Sequence, residues 1–295
     1  MCLDVSPAAG LAVFQDLVRV SDAVFSNLCG DVPEKLGLKF ADLEPINPTI
    51  VCCSLSGYGM TGPRAAFPGF DYMVQGYAGS MSITGEPNGP PSKTGLSAVD
   101  FASGFAASLA MLAGVHAARR DGIGVDCDIS LMDTALSMLN YLVTWTGSRG
   151  YEPSRMPRSS HPTLVPFGNF PTADGWIVAG GSKPKFWERL AQSLGRHDLL
   201  VDPRFSTFES RLINRDALTE LMDSEFGKQP TSHWLRILED ADVPCAPVNT
   251  IAEALVDEQV VARQSVFRLD HPSLGEITHV ASPIRVGTEP ARIYR

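Results

Sequence analysis

Residues 49–55 read Thr49-Ile50-Val51-Cys52-Cys53-Ser54-Leu55, a continuous β-rich run without polar alternation. A strand with one face in water alternates apolar and polar residues. A strand without alternation is covered on both faces, as strands of a parallel sheet are. Toward the N-terminus, Ala23-Val24-Phe25 reads as a second short strand. The segment Leu11 to Val20 before it has a helical apolar period, and Val32 to Leu36 and Phe40 to Leu43 read as short helical pieces. Toward the C-terminus, Gly57 to Pro68 reads as a loop, Tyr72 to Met81 as a helix and Gly85 to Pro91 as a turn-rich loop. Asp100 then opens a long helix. Phe101, Phe105, Leu109, Leu112 and His116 form its apolar stripe and are expected to face the core. Val125 to Ile129 reads as a strand and Leu131 to Val143 as another helix. The alternation predicts an α/β fold, a mostly parallel sheet with crossover helices.

A change of composition marks a boundary. From Gly147 to Phe167 the residues are dominated by Gly, Pro, Ser and Arg. A first lobe over 1–150 and a smaller α+β lobe over 151–262 follow. The smaller lobe carries a strand at Trp176 to Ala179. It also carries helices near Phe186 to Leu194, at Arg215 to Phe226 and at Ser232 to Asp240, then paired short helices over Ile251 to Gln264. Residues 263–295 read as a return segment to the first lobe, with short strands between Phe267 and Val286.

The formal net charge of -9 and pI of about 5.1 argue against a nucleic-acid binder, which carries a basic surface. An anionic ligand must therefore be met by a few local cations or backbone N–H groups. The six cysteines, Cys2, Cys29, Cys52, Cys53, Cys127 and Cys245, have neither zinc-site nor disulfide-scaffold spacing. They read as thiols in a reducing, cytoplasmic setting, and no metal site is expected. No uninterrupted apolar run reads as long enough to span a bilayer, and the N-terminus lacks the layout of a signal peptide, so no membrane partner is expected.

Asp100 leads the candidates for chemistry. An Asp before a helical apolar run reads first as an N-cap. The same carboxylate is kept ionised by the helix dipole, and facing a cleft it can attack an acyl group. Cys52 and Cys53 lie on the central strand, where an apolar setting makes a thiol inert. Ser56 does not match Gly-x-Ser-x-Gly. His161 is either an acid–base group or a structural loop histidine. Gly180-Gly181-Ser182 at a strand end could cradle a phosphate but lacks the spacing of known phosphate loops. Lys183 and Lys185 read as solvated charges, and His116 as core-adjacent. These residues alone indicate an α/β enzyme-like protein with its activity open.

An ordered set of segments narrows the reading. Ser26-Asn27-Leu28-Cys29-Gly30-Asp31-Val32-Pro33-Glu34-Lys35-Leu36-Gly37-Leu38, Asn47-Pro48-Thr49-Ile50-Val51, Ser54-Leu55-Ser56-Gly57-Tyr58-Gly59 and Thr61-Gly62-Pro63 come first. They are followed by Pro68-Gly69-Phe70-Asp71-Tyr72, Thr84-Gly85-Glu86-Pro87 and Val99-Asp100-Phe101-Ala102-Ser103-Gly104. His161-Pro162, Pro166-Phe167-Gly168, Asp174-Gly175-Trp176 and Val243-Pro244-Cys245-Ala246-Pro247-Val248 complete the set. Together they resemble the family III CoA-transferases of the CaiB/BaiF type. The resemblance implies a Rossmann-like lobe and an interlocked homodimer. It implies Asp100 as nucleophile toward an acyl-CoA, giving an aspartyl–acyl anhydride and then an aspartyl-CoA thioester that an incoming carboxylic acid resolves. By position it implies CoA contacts from Asn27, Leu28, Lys35 and Phe70, with Lys35 toward a phosphate, and an active-site loop at Ser159, Ser160 and His161. CoA is then substrate, and no permanently bound cofactor is implied. Phe101 is expected to supply an oxyanion donor from its backbone N–H.

The family also contains α-methylacyl-CoA racemases, which use a His-Asp pair after the Pro-Gly turn. Phe70 stands where that histidine would be, and phenylalanine accepts no proton. The resemblance departs at both ends. Met1-Cys2-Leu3-Asp4-Val5 resembles an internal strand, so the Rossmann-like lobe is expected to be incomplete at its N-terminus. The family's closing helical segment after Pro290 is not matched either. Leu28 and Cys29 stand where an aromatic and often a basic residue is expected. A naturally short enzyme, a fragment, a chain completed by a partner, and a degenerate paralogue that only binds or dimerises are the alternatives that these departures leave.

Overall fold

In the structure, a computed structural model, residues 2–287 are described. Met1 and the end of the return segment from residue 288, including the stretch after Pro290, lie outside the described residues. The chain divides into two compact units, residues 1–159 and 160–295.

The first unit is a three-layer α/β arrangement. Its elements are α1 (Ala8–Val18), β1 (Ala23–Ser26), α2 (Val32–Lys35), α3 (Phe40–Leu43), β2 (Val51–Ser56), α4 (Asp71–Ala78), α5 (Ser80–Ile83), α6 (Ala98–Asp121), β3 (Val125–Ser130), α7 (Leu131–Leu139) and α8 (Tyr141–Arg149). The three strands are all parallel in the order β1-β2-β3, so the 49–55 run lies at the centre of the sheet. Val51, Cys52 and Cys53 are buried, as the lack of alternation requires. Val18, Leu43, Ile50 and Cys52 form the core on one side, and Val74, Val99, Leu131 and Ala135 form another cluster. Cys2 to Val5 carry no strand, so the internal-strand reading of that segment is not met in its described part.

Three expectations about helices change. Gly79, at φ +90°, ends α4 and restarts the chain as α5, so residues 72–81 are not one helix. Asn140, at φ 36°, divides the helix read over 131–143 into α7 and α8. In α6 the core face is the opposite of the one expected. Ser103, Ala107, Gly114 and Ala118 are buried, while Phe101 and Leu112 are 64% and 70% exposed. Helix-on-sheet packing decides this. A Cβ at Gly114 would lie 2.9 Å from Cγ1 of Val51, so only small side chains fit against the sheet. The bulky stripe of Phe101, Phe105, Leu109 and Leu112 is left on the outer face, and His116 is exposed with it. By length and composition α6 is also long and apolar enough to cross a membrane, which a search for one uninterrupted apolar run misses. Its small-residue face is nevertheless taken up by the sheet.

The second unit contains β4 (Phe167–Pro171), β5 (Trp176–Gly180), α9 (Pro184–Ser193), α10 (Asp198–Val201), α11 (Phe208–Ile213), α12 (Arg215–Phe226), α13 (Thr231–Asp240), β6 (Cys245–Pro247), α14 (Ile251–Leu255), α15 (Glu258–Ala262), β7 (Val266–His271) and β8 (Gly275–Val280). β4, β5 and β6 form an antiparallel sheet, and β7 pairs antiparallel with β8. Trp187, Leu190, Phe205, Leu218, Met222, Phe226 and Leu238 fill its core. Arg211 is buried within it and donates to the carbonyls of Val165, Phe205 and Ser182 at 3.0, 3.2 and 2.9 Å. Every lone pair it meets belongs to backbone, so the cation acts as a structural clamp.

Candidate active site

β1, β2 and β3 end at Ser26, Ser56 and Ser130, with Ser56 and Ser130 in register. In parallel sheets, ligands gather beyond the carboxyl ends of the strands. Asn27 and Leu28 follow β1 directly and are exposed. The backbone N–H of Gly30 donates to Ala65 at 3.0 Å, which ties this segment to the loop after β2. Gly57 and Gly69 meet backbone to backbone. A Cβ on either would lie 2.4 Å from the Cα of the other. This approach, open only to glycine, brings Phe70 and Asp71 to the end of the central strand.

Asp71 opens α4 and is 5% exposed. Its Oδ2 accepts the backbone N–H of Val99 at 2.8 Å and of Asp100 at 3.3 Å. Gln75 Nε2 donates to Asp71 Oδ1 at 2.6 Å and to Thr94 Oγ1 at 3.0 Å, and Gln75 Oε1 accepts from the N–H of Thr94 at 3.0 Å. The start of α6 is therefore capped by a side chain from another helix. Asp100 itself lies inside the first turn, with Ser97 at the cap position, so the N-cap reading of Asp100 is corrected. Its carboxyl is pushed above the usual carboxylate range, first by burial and then by the neighbouring Asp71 carboxylate. The expectation of a carboxylate favoured by the dipole fails for that reason.

The proposed oxyanion donor is also corrected. The N–H of Phe101 donates to Ser97 at 3.1 Å, and that of Ala98 to Leu96 at 2.9 Å. With Val99 and Asp100 bound to Asp71, the N–H groups of the first turn of α6 are engaged.

Phe70 is 64% exposed beside this cap. Lys35 is exposed, and its Nζ pairs with Asp31 at 2.6 Å. Sequence reasoning missed Arg64, whose guanidinium carbon lies 4.4 Å from the Tyr77 ring centroid and 5.9 Å from that of Tyr58. It also missed Asp71, Gln75 and Thr94, whose partners are tertiary. The 85–91 loop is held by Arg155, which donates to the carbonyls of Glu86 and Gly89, and by the N–H of Arg158 on Glu86 Oε1 at 2.8 Å. Arg158 and Ser159 close the first unit at φ 54° and 52°.

Ser160 and His161 belong to the second unit. There the His161 N–H donates to Phe167 at 3.0 Å, and Arg215 donates to the carbonyls of His161 and Pro162 at 2.8 and 2.6 Å. His161 Nδ1 accepts the N–H groups of Thr163 and Leu164, both at 3.1 Å. Burial, then the Arg215 charge, push the imidazole below its ordinary pKa.

Other candidates have structural roles. Burial pushes the Cys52 thiol up to about 12 and the Cys53 thiol up to about 11. Ser56 Oγ accepts the N–H of Gly59 at 2.9 Å. Cβ atoms at Gly180 and Gly181 would lie 2.9 Å from the Phe167 ring and 2.6 Å from Leu190, so these glycines serve packing. Among the described residues there is no cluster of His, Cys, Asp or Glu suited to a metal.

Comparison with known proteins shows the family of the chain. The whole chain, residues 1–295, matches the CoA-transferase family III. It is 34% identical to the succinate–glutarate CoA-transferase of Agrobacterium fabrum, covering 99% of this chain and 73% of that protein. It is 33% identical to the acetyl-CoA:oxalate CoA-transferase of Acetobacter aceti, covering 87% of this chain and 66% of that protein. The crystal structure of a CaiB/BaiF family protein from Brucella suis superposes with a TM-score of 0.82 at 30% identity, over 98% of this chain and 75% of that one. The chain thus spans about two thirds to three quarters of the length of these relatives. It belongs to the family III CoA-transferases.

Proposed function

We propose that this chain transfers CoA from an acyl-CoA to a small carboxylic acid through covalent intermediates on Asp100. The Asp100 carboxylate attacks the thioester carbonyl, a C–O bond forms, the C–S bond breaks, and CoA leaves as thiolate. The thiolate attacks the aspartyl carbonyl of the mixed anhydride, giving an aspartyl-CoA thioester and the free donor acid. The acceptor carboxylate then attacks this thioester, forming a second anhydride and releasing the thiolate. Attack of the thiolate on the acceptor's acyl carbon makes the new acyl-CoA and restores Asp100. Covalent steps divide one difficult exchange into easier ones.

The observation that carries this reading is the placement of Asp100 in the first turn of α6, with its own N–H held by Asp71. A carboxyl raised above its usual range is also the more basic nucleophile. In this reading Asn27, Leu28, Lys35 and Phe70 contact CoA, and Ser159, Ser160 and His161 form the substrate-facing loop. CoA is a substrate, and no resident cofactor or metal takes part. The relatives' names pair acetyl or succinyl donors with oxalate, glutarate, citramalate or mesaconate, all dicarboxylic acids. A short dicarboxylate is therefore the proposed acceptor. The exposed apolar stripe of α6 supports a homodimer, and six free thiols support a cytoplasmic setting. Phe70 in place of a proton acceptor sets the racemase reading aside.

The test is conversion of succinyl-CoA and glutarate to glutaryl-CoA and succinate, followed by chromatography. Turnover that is lost in Asp100→Asn supports the proposal. CoA binding without turnover across a panel of dicarboxylates points to the degenerate paralogue.

A further inference from the structure

Ligands gather beyond the carboxyl ends of parallel strands, and there the loop after β2 presents an arginine held by rings instead of by an acid. Arg64 is exposed, and among the described residues no carboxylate pairs with its guanidinium and no hydrogen bond engages it. Its guanidinium carbon lies 4.4 Å from the Tyr77 ring centroid, 5.8 Å from that of Phe67 and 5.9 Å from that of Tyr58. The two tyrosines meet edge-on with centroids 5.8 Å apart. A cation over a ring face is held by the ring quadrupole, and its N–H donors stay available. The backbone beneath is turned in place. The N–H of Ala65 donates to Gly62 at 3.3 Å, and that of Phe67 to the Arg64 carbonyl at 2.9 Å. The result is a planar fork of donors that is positioned by packing.

Its surroundings lie wholly within the first unit. The Ala65 carbonyl accepts the N–H of Gly30 at 3.0 Å, which sets Arg64 beside the segment that begins at Asn27 and Leu28. A Cβ on Gly69 would lie 3.2 Å from Cε2 of Tyr58, so the aromatic platform also abuts the turn that carries Phe70. Arg64 thus adjoins both stretches read as CoA contacts. The neighbouring lysines are already engaged, Lys35 with Asp31 at 2.6 Å and Lys39 with Glu34 at 2.7 Å. An anion that reaches Lys35 competes with Asp31, whereas one that reaches Arg64 displaces only water. CoA carries phosphates, and in a chain of net charge -9 such groups need a local cation. The guanidinium fork matches phosphate oxygens two at a time.

We propose that Arg64, positioned by Tyr77 and Tyr58, binds a phosphate group of CoA. This rests on the reading of CoA as the substrate.

Calorimetric titration of the full chain with CoA tests the proposal. Arg64→Gln should weaken binding about 10- to 100-fold, the loss expected for one charge-assisted pair, with thermal melting unchanged because the side chain is exposed. Arg64→Lys keeps the charge but loses the fork, and should recover only part of the affinity. The penalty should shrink as salt rises from about 0.01 to 1 M, since mobile ions screen an exposed pair. Tyr77→Leu should weaken binding less, and adding it to Arg64→Gln should cost nothing further, because the ring acts through the guanidinium. An unchanged CoA affinity in Arg64→Gln, or a penalty indifferent to salt, would overturn the proposal. An unchanged CoA affinity with a raised KM for the acceptor acid would overturn it in favour of the acceptor's carboxylate. CoA that fails to bind the unmodified chain would overturn the transferase reading, and the proposal with it.

Discussion

The backbone N–H of Asp100 donates at 3.3 Å to the carboxylate of Asp71, which also takes the N–H of Val99 at 2.8 Å. Two acidic residues 29 positions apart thus share one helix end, one as its cap and the other in its first turn. The cap orders the backbone that carries Asp100, and its charge opposes ionisation of that carboxyl.

Asp71→Ala should lower stability by about 0.5–2 kcal/mol, the usual cost of a lost cap. Activity should fall further than stability, because the Asp100 peptide loses its acceptor. Asp71→Asn retains an acceptor but removes the like charge, so the acid limb of kcat/KM should move to lower pH. Denaturant titration and a pH–rate profile check both statements. An unmoved limb would show that Asp71 does not influence Asp100.

Asp100→Asn should be more stable than the unmodified chain at neutral pH. The sign follows from linkage. A carboxyl raised in the folded state contributes stability that is full below its unfolded pKa and is lost as pH rises through the folded value. The difference between the two proteins should shrink to nothing as pH falls below the ordinary carboxylate range. Melting temperatures from acid to neutral pH would show it, and a constant offset would contradict it.

Much of the fold was legible because its signals are local. Val51–Ser56 sits mid-sheet, and the adjacent apolar residues Val51, Cys52 and Cys53 are buried on both of its faces. The missed elements lack local signals. β6 is only Cys245–Pro247, and β4 contains a glycine and ends in a proline, so neither stands out as a strand. The outer face of α6 was misassigned because periodicity finds a stripe but cannot tell whether large or small residues meet the sheet. Asp100 stands out in the sequence through its surrounding motif, and its role is the proposal made above. Asp71 does not, since an acid at the start of α4 reads only as a dipole partner until Val99 and Asp100 are seen to bond to it.

The stripe of Phe101, Phe105, Leu109 and Leu112 should be buried between copies of the chain. Each leucine removed from water contributes about 1.5–3 kcal/mol. Light scattering should report a dimer, and the double variant Leu109→Glu with Leu112→Glu should report a monomer. A monomeric unmodified chain would rule this out.

Native labelling with iodoacetamide at pH 8 should modify the exposed Cys2 and spare Cys52 and Cys53, whose thiols lie at about 12 and 11. Peptide mapping after unfolding should show both. Rapid native labelling of either would mean that the central strand opens readily.

The most direct measurement is to incubate the protein with succinyl-CoA, quench with hydroxylamine, and map the modified peptide by mass spectrometry. Covalent transfer predicts a hydroxamate on Asp100, absent from Asp100→Ala and dependent on the acyl-CoA. Turnover with Asp100 unmodified, or a hydroxamate on another carboxylate, would contradict it.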